Sequence, residues 1–306
     1  MLRSVILAAA RNERLKRLVT AAPVSRSVVR RFVAGAGVDD AIRVSHELTG
    51  QGLAVSLDRL GEDTTEREHA AANAKAYLAL LSGLAVEGLT GSTELSVKLS
   101  AIGQALDPRL AIEHAREICA AAEAAGTTVT LDMEDHTTTD STLAILAELR
   151  RDHPSTGAVL QAYLRRTETD CRELAYAGSR VRLCKGAYNE PAEVAYADPF
   201  DVDRSYVRCL KVLLAGSGYP MVATHDPRLL AIAAERARWY GRERGSYEYQ
   251  MLYGVRPEEQ KRLAGRGETV RVYVPYGDEW YGYLMRRLAE RPANLTFFLR
   301  SMVSTR

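Results

Sequence analysis

Two adjacent arginines near the end of the chain, Arg286 and Arg287, lie in the run YGYLMRRLAE. Tyr281, Leu284, Met285 and Leu288 recur at i, i+3, i+4 and i+7, the spacing of a helix face turned to a core. Tyr283, Arg286, Arg287 and Glu290 repeat that spacing on an adjoining stripe. Paired guanidinium groups beside a tyrosine suit a bidentate grip on a carboxylate or phosphate. Taken alone, the helix reads more simply as a solvated arginine face. Other polar groups stand where short apolar runs end: Asp58, Lys98, Asp132 with Glu134, Gln161, Arg182 with Lys185, Thr224 with His225, Gln250 and Tyr273. A lysine inside a strand costs desolvation unless paired, so Lys98 in SVKLS calls for a counter-charge, and Asp132 is the natural one. The plainer alternative for Lys98 is a snorkelling edge residue. Gln161 offers a donor and an acceptor suited to an amide-rich ring edge. Arg182 and Lys185 flank Gly186 and Ala187, a pattern like an anion cradle. His225 alone reads as a satisfied core histidine.

The elements that must position these groups alternate regularly. Apolar runs at 53–57, 95–99, 127–131, 158–162, 181–184, 221–224, 247–252 and 270–274 read as strands. Helical stretches follow at 65–84, 108–125, 141–151, 169–177, 203–216, 227–238, 257–264 and, capped by Asp278, to about Glu290 before Pro292. Eight strands of near-continuous apolar residues alternating with helices predict a (β/α)8 barrel with a parallel sheet buried on both faces. No GxGxxG follows any strand, which disfavours a doubly wound dinucleotide-binding sheet. Residues 1–50 are expected to form an N-terminal helical arm, and residues 51–306 the barrel. The strands' C-terminal ends then form one rim, where a barrel's active site lies. Polar groups at all eight ends argue for a site holding a large ligand and a charged substrate.

Composition narrows the class. The chain has 306 residues, 46% hydrophobic and 26% charged, and a net charge of +2 from 41 basic and 39 acidic residues. That is an ordinary globular make-up with no basic stripe, which argues against a nucleic-acid partner. Cys119, Cys171, Cys184 and Cys209 show no CxxC spacing, and the six histidines show no HxxxH or HxH. Reduced thiols in a cytoplasmic protein and no metal site are expected. The start, MLRSVILAAARNERLKR, is too short in its apolar run for a secretory core and reads as an amphipathic helix. Its alternative reading is peripheral contact with the anionic inner face of a membrane.

In order, SVKLS, LDMED, QAYLRR, VRLCKGAY, VATHD, YEYQMLYG and RVYVPYG followed by YLMRRLAE resemble the proline dehydrogenase family, from about Leu53 to Asn294. The length resembles its monofunctional bacterial branch, without an aldehyde dehydrogenase domain. The resemblance implies a distorted barrel with non-covalent FAD along the strand ends and the last helix over the mouth. It implies that Arg286 and Arg287, assisted by Lys98, bind the proline carboxylate, and that Tyr273, Tyr283 and Leu252 wall the ring. It places Asp132, Met133, Gln161, Arg182, Lys185, Gly186, Ala187, Thr224 and His225 around the flavin, with Asp132 and Arg182 as catalytic groups and Arg182 near the reactive nitrogen. Tyr188 and Glu290 support that shell. The loop after the first strand is expected to act as a lid, with Glu62 pairing with Arg286.

The implied reaction is oxidation of L-proline to 1-pyrroline-5-carboxylate, the first step toward glutamate. Electrons would pass to a quinone, and a pyrroline-5-carboxylate dehydrogenase would act downstream. Hydride loss from the carbon beside nitrogen needs a neutral amine and a ring fixed at near-attack distance. Tyr273 would obstruct a ring hydroxyl, favouring proline over hydroxyproline. The alternative enzyme class is a Schiff-base aldolase acting through Lys98, and the non-enzymatic alternative is an arginine-rich RNA adaptor.

Overall fold

The computed structural model describes residues 29–62 and 64–290, with side chains as far as Arg287. The expectations for residues 1–28, Pro292, and the side chains of Leu288 and Glu290 lie outside the described residues.

Eight strands pair in parallel in chain order and close on themselves: β1 (Ala54–Arg59), β2 (Thr93–Val97), β3 (Val129–Leu131), β4 (Gly157–Gln161), β5 (Arg180–Cys184), β6 (Tyr219–Ala223), β7 (Glu248–Leu252) and β8 (Val270–Tyr276). The seam is β1 against β8, with Ala54 to Arg59 opposite Arg271 to Tyr276. From residue 38 on, the α-helices among the described residues are α1 (Val38–Thr49), α2 (Arg67–Val86), α3 (Pro108–Ala124), α4 (Thr139–Asp152), α5 (Thr167–Leu174), α6 (Pro199–Ala215), α7 (Pro227–Trp239), α8 (Pro257–Ala264) and α9 (Trp280–Glu290). Three of them start on the same Asp-Pro signal. Asp107, Asp198 and Asp226 each accept a backbone N–H of the first turn, and the proline that follows needs no partner for a missing N–H. This is why α6 begins at Pro199, four residues before the start expected at 203.

The barrel differs from the predicted one in its lining. Period-two alternation sends Val55 and Leu57, Leu95 and Val97, Val181 and Leu183, and Val270, Val272 and Val274 to the outer core under the helices. The intervening residues, among them Ser56, Glu94, Ser96, Arg180, Arg182, Glu248, Gln250 and Arg271, bond to one another across the interior. Layers of branched apolar residues, the usual filling, are here replaced by a charged, hydrogen-bonded shaft.

The outer ring is closed by a helix from the wrong end of the chain. α1 precedes β1, packs over the β8–β1 seam and lies beside α2, burying Ala41, Val44, Ser45 and Leu48. The arm division at residue 50 therefore marks no gap in packing. The position that the helix after β8 would fill is taken, and α9 is free to cross the mouth. Arg286 on α9 pairs with Glu62 after β1 and lies over Tyr188 after β5. β1 and β5 are on opposite sides of the barrel, so a side chain touching both loops must lie across the opening.

The segment before α1 is pinned by backbone contacts. Ala34 N–H donates to Pro275 (2.9 Å) and Gly277 N–H to Gly35 (2.8 Å). Gly254, at φ +72°, sits under the Arg31 carbonyl, where a Cβ would lie 1.8 Å from the oxygen. Gly254→Ala should cost ~2 kcal/mol or more through strain and overpacking, read as a lower urea midpoint. An unchanged midpoint would mean that residues 29–34 are not held there.

Candidate active site

The shaft is organised around Arg182, which β5 points inward and which is 4% exposed. Its Nη1 donates to Ser96 Oγ (2.7 Å) and Asp132 Oδ1 (2.8 Å); its Nη2 donates to Ser56 Oγ (3.0 Å) and Glu94 Oε1 (2.8 Å); its Nε donates to Gln250. Burial opposes its charge, but Asp132 and Glu94 outweigh that and raise its pKa. Below it Glu94 also takes Arg180 (2.7 Å) and lies 3.8 Å from Arg271. Burial works against the Glu94 charge as well, and Arg271, Arg180 and Arg182 overcome it, holding the carboxyl down to about 2.

Toward the mouth Lys98 donates to Asp58 Oδ1 at 2.5 Å and stands 3.8 Å from Asp132. The counter-charge expected from Asp132 is thus mainly Asp58, on the strand to the other side. Asp132 is engaged by Arg182, by Ser96 (2.8 Å) and by the Tyr273 hydroxyl (2.7 Å). Burial pushes the Lys98 ammonium down, but Asp58 and Asp132 together raise its pKa. Burial and Asp132 push the Asp58 carboxyl up against the pull of Lys98. The Arg182 guanidinium lies 5.3 Å over the Tyr273 ring, so this tyrosine is fixed at both its hydroxyl and its face.

Across the opening, Arg286 donates to both Glu62 oxygens, at 2.6 and 3.1 Å. Its guanidinium lies 5.6 Å over Tyr188, and that of Arg287 lies 5.2 Å over Tyr283. Tyr281, Leu284 and Met285 form the buried stripe of α9, and Tyr283 is buried beside them.

The residues expected around a cofactor form an arc on the ends of β3 to β6. Gln161 donates to the carbonyls of Met133 (3.2 Å) and Glu134 (3.0 Å), and its Oε1 is buried with no hydrogen-bond partner among the described residues. An acceptor left open in this way, with the Arg182 cation on the neighbouring strand, fits the imide N–H of a flavin and the negative charge that its ring gains on reduction. The anion cradle does not appear as expected. Arg182 turns into the shaft, whereas Lys185 turns outward to Asp203 (2.5 Å) and Asp226 (3.3 Å), so the two cations diverge. Alternation along β5 explains this, since Arg182 falls on an inward position and Lys185 lies past the strand end. Gly186, at φ +111°, rests on Tyr163, where a Cβ would meet the ring at 2.3 Å, and Ala187 follows it into the mouth loop. Thr224 Oγ1 accepts Asp226 N–H (3.1 Å), and His225 Nε2 accepts Leu252 N–H (2.8 Å), tying β6 to β7. Among the described residues no group of three or more His, Cys, Asp or Glu could hold a metal ion.

Asp58 and Gln250 were visible as strand ends but carried no assigned role. Ser56, Glu94, Ser96, Arg180, Glu248 and Arg271 were missed altogether. The signal for the β2 members is the period-two run Glu94, Ser96, Lys98 in TELSVKLS, which sets all three on one face of the strand.

The proline dehydrogenase family model matches residues 41–300. Proline dehydrogenase 1 of Bacillus subtilis (strain 168) is 38% identical over 303 residues, 99% of both chains. The chain belongs to the proline dehydrogenase family. It is accordingly an oxidoreductase acting on proline. The family's proline dehydrogenase of Deinococcus radiodurans is 38% identical over 284 residues, 90% of each chain. In fold, the chain is similar to proline utilization A (PutA) from Bdellovibrio bacteriovorus inactivated by N-propargylglycine. The TM-score is 0.83 at 23% identity, covering 99% of this chain and 40% of that one. No described helix is long and apolar enough to cross a membrane.

Glu134 supplies a pH-dependent test of the site's burial. It accepts Ser100 N–H (3.2 Å) and Oγ–H (2.6 Å) and is 7% exposed. Burial, then Glu62, raise its carboxyl from 4.5 to about 7 against Ser100 and Lys98. A raised carboxyl pKa gives stability that is complete below 4.5 and is lost as pH climbs through 7. Between pH 5 and 8, Glu134→Gln should therefore gain on the wild type by up to ~3 kcal/mol in denaturant unfolding. A gap that does not move with pH would place Glu134 in contact with water.

Proposed function

We propose that the chain oxidises L-proline to 1-pyrroline-5-carboxylate with FAD as the resident hydride acceptor and a quinone as the onward electron acceptor. The observation that carries this reading is the α9 arginine pair over a rim whose floor is Arg182, Asp132 and Tyr273. When bound, the flavin supplies two-electron redox chemistry that no side chain here can supply. Met133, Gln161, Arg182, Lys185, Gly186, Ala187, Thr224 and His225 are the residues that would hold it. For Lys185 to reach a phosphate, it would have to leave Asp203 and Asp226.

The chain's own residues then do four things. Arg286 and Arg287 take the substrate carboxylate, with Lys98 as a third cation. Tyr273, fixed by Asp132 and Arg182, forms a rigid wall with Leu252 and Tyr283 that holds the ring in one orientation. The arginines and Lys98 together favour the neutral form of the substrate amine, whose lone pair builds the C=N bond. α9 and the Glu62 loop, joined by the Arg286 pair, close the mouth against water. A quinone acceptor makes peripheral contact with a membrane surface part of the proposal. The downstream enzyme would be a pyrroline-5-carboxylate dehydrogenase.

Lys98 argues against the Schiff-base alternative. A Schiff-base lysine must shed its proton near neutral pH, and the Asp58 pair holds this one charged.

The purified protein should be yellow and should bleach when proline is added without oxygen. A colourless protein that traps substrate on borohydride reduction would replace this reading with the aldolase. Two variants test the residue roles. Glu62→Gln should raise KM for proline about fivefold, equivalent to ~1 kcal/mol of lost pairing; an unchanged KM would remove Glu62 from the lid. Tyr273→Ser should erode the preference for proline over hydroxyproline by about tenfold or more, as expected for a removed steric wall. Equal preference in wild type and variant would refute the wall.

A further inference from the structure

Glu94 lies deeper in the barrel than any residue that the proposed chemistry uses. It is 1% exposed, yet its two oxygens serve Arg182 and Arg180, with Arg271 close behind. One carboxylate thus divides its charge among three guanidinium groups. The shaft is balanced: Lys98, Arg180, Arg182 and Arg271 face Asp58, Glu94, Asp132 and Glu248. Of the groups bonded to Arg182, Ser56, Ser96 and Gln250 are neutral, and Asp132 also serves Tyr273 and the mouth. Glu94 is the one charged partner of Arg182 that belongs wholly to the shaft.

We infer that Glu94 is a positioning residue that sets how much of the Arg182 charge reaches the flavin, with Arg180 competing for the same carboxylate. This rests on the reading of Arg182 as the cation beside the flavin. The placement follows from β2, where Glu94, Ser96 and Lys98 point inward at successive levels. The first neutralises Arg182 from below, the second orients it, and the third faces the mouth. Glu94 and Arg182 are both buried, so removing the charge of Glu94 is felt over several ångströms with little screening. Glu94→Gln leaves Arg182 under-compensated. The added positive potential favours the electron-rich reduced flavin, and the reduction potential rises. Arg180→Gln does the opposite. It frees Glu94 to lean on Arg182, the positive potential falls, and the reduction potential drops. Arg180 borders a cavity of about 340 Å3 at the far end of the barrel, beside Tyr219, Glu248 and Arg271, so water can replace its side chain there.

The test is the reduction potential of the flavin-loaded enzyme, measured by equilibration with a reference dye. Glu94→Gln should move the oxidised-to-reduced equilibrium about tenfold toward the reduced form, a rise of about 30 mV for a two-electron couple. Arg180→Gln should move it at least threefold the other way. KM for proline should stay within twofold in both, because Arg286 and Arg287 are untouched, while kcat follows the potential. Glu94→Asp should restore most of the wild-type value. If Glu94→Gln does not fold, the sign of the Arg180→Gln shift alone decides. Potentials unchanged, or moved in the same direction by both variants, overturn the inference while leaving the proline reading intact. A wild type that binds no flavin overturns both.

Discussion

The constraint on which the molecule turns is the position of α9, the last of the described helices. A (β/α)8 barrel has room for eight helices around its strands, and here α1, from before β1, takes the eighth place over the β8–β1 seam. α9 is left without a slot in the ring and crosses the mouth instead. Its apolar stripe is buried, and on the adjoining stripe Arg286 reaches loops from opposite sides of the barrel. A helix that is peripheral in other barrels becomes the roof of the site and brings two cations to a place no strand end could reach.

Beneath that roof the interior must accept charge. An ordinary apolar filling could not hold Arg182 or Lys98, since an unpaired buried cation costs several kcal/mol. The barrel meets this by pairing every shaft cation with a carboxylate on a neighbouring strand or one across the interior. Asp132 is where the two regions meet: it is bonded from below by Arg182 and from the mouth by Tyr273, with Lys98 close by. Tyr273, the proposed substrate wall, and the Arg182 cation beneath it are therefore one hydrogen-bonded unit. The rigidity proposed for the site comes from that unit and not from the loops around it.

Much of this was legible in the sequence. Alternation of apolar runs with helical stretches, and the polar residues that end those runs, gave the barrel and its rim. The helix stripes of Tyr281 to Arg287 marked a face that is both packed and charged. Three features are hidden, each in a side-chain direction or partner that composition does not carry. Short runs such as Val270–Val274 read as apolar throughout when Arg271 and Tyr273 are passed over, so the sequence suggests a sheet with two apolar faces where the structure has a charged shaft. Likewise, a strand does not reveal which of its two neighbours supplies a counter-charge: Asp132 is level with Lys98 on β3, but Arg182, Ser96 and Tyr273 engage it, and Asp58 on β1 takes the lysine. The divergence of Arg182 and Lys185 has the same origin, since three residues of separation across a strand end put them on different faces.

The central claim is that α9 reads the substrate's carboxylate. The most direct measurement is the ratio of kcat/KM for proline over prolinamide, in wild type and in the Arg286→Gln, Arg287→Gln double variant. The wild type should prefer proline by at least about a hundredfold, as a site built around a charged group rejects its neutral analogue. The double variant should lose nearly all of that preference, with the loss falling on proline alone. A preference that survives the loss of both arginines would contradict the account.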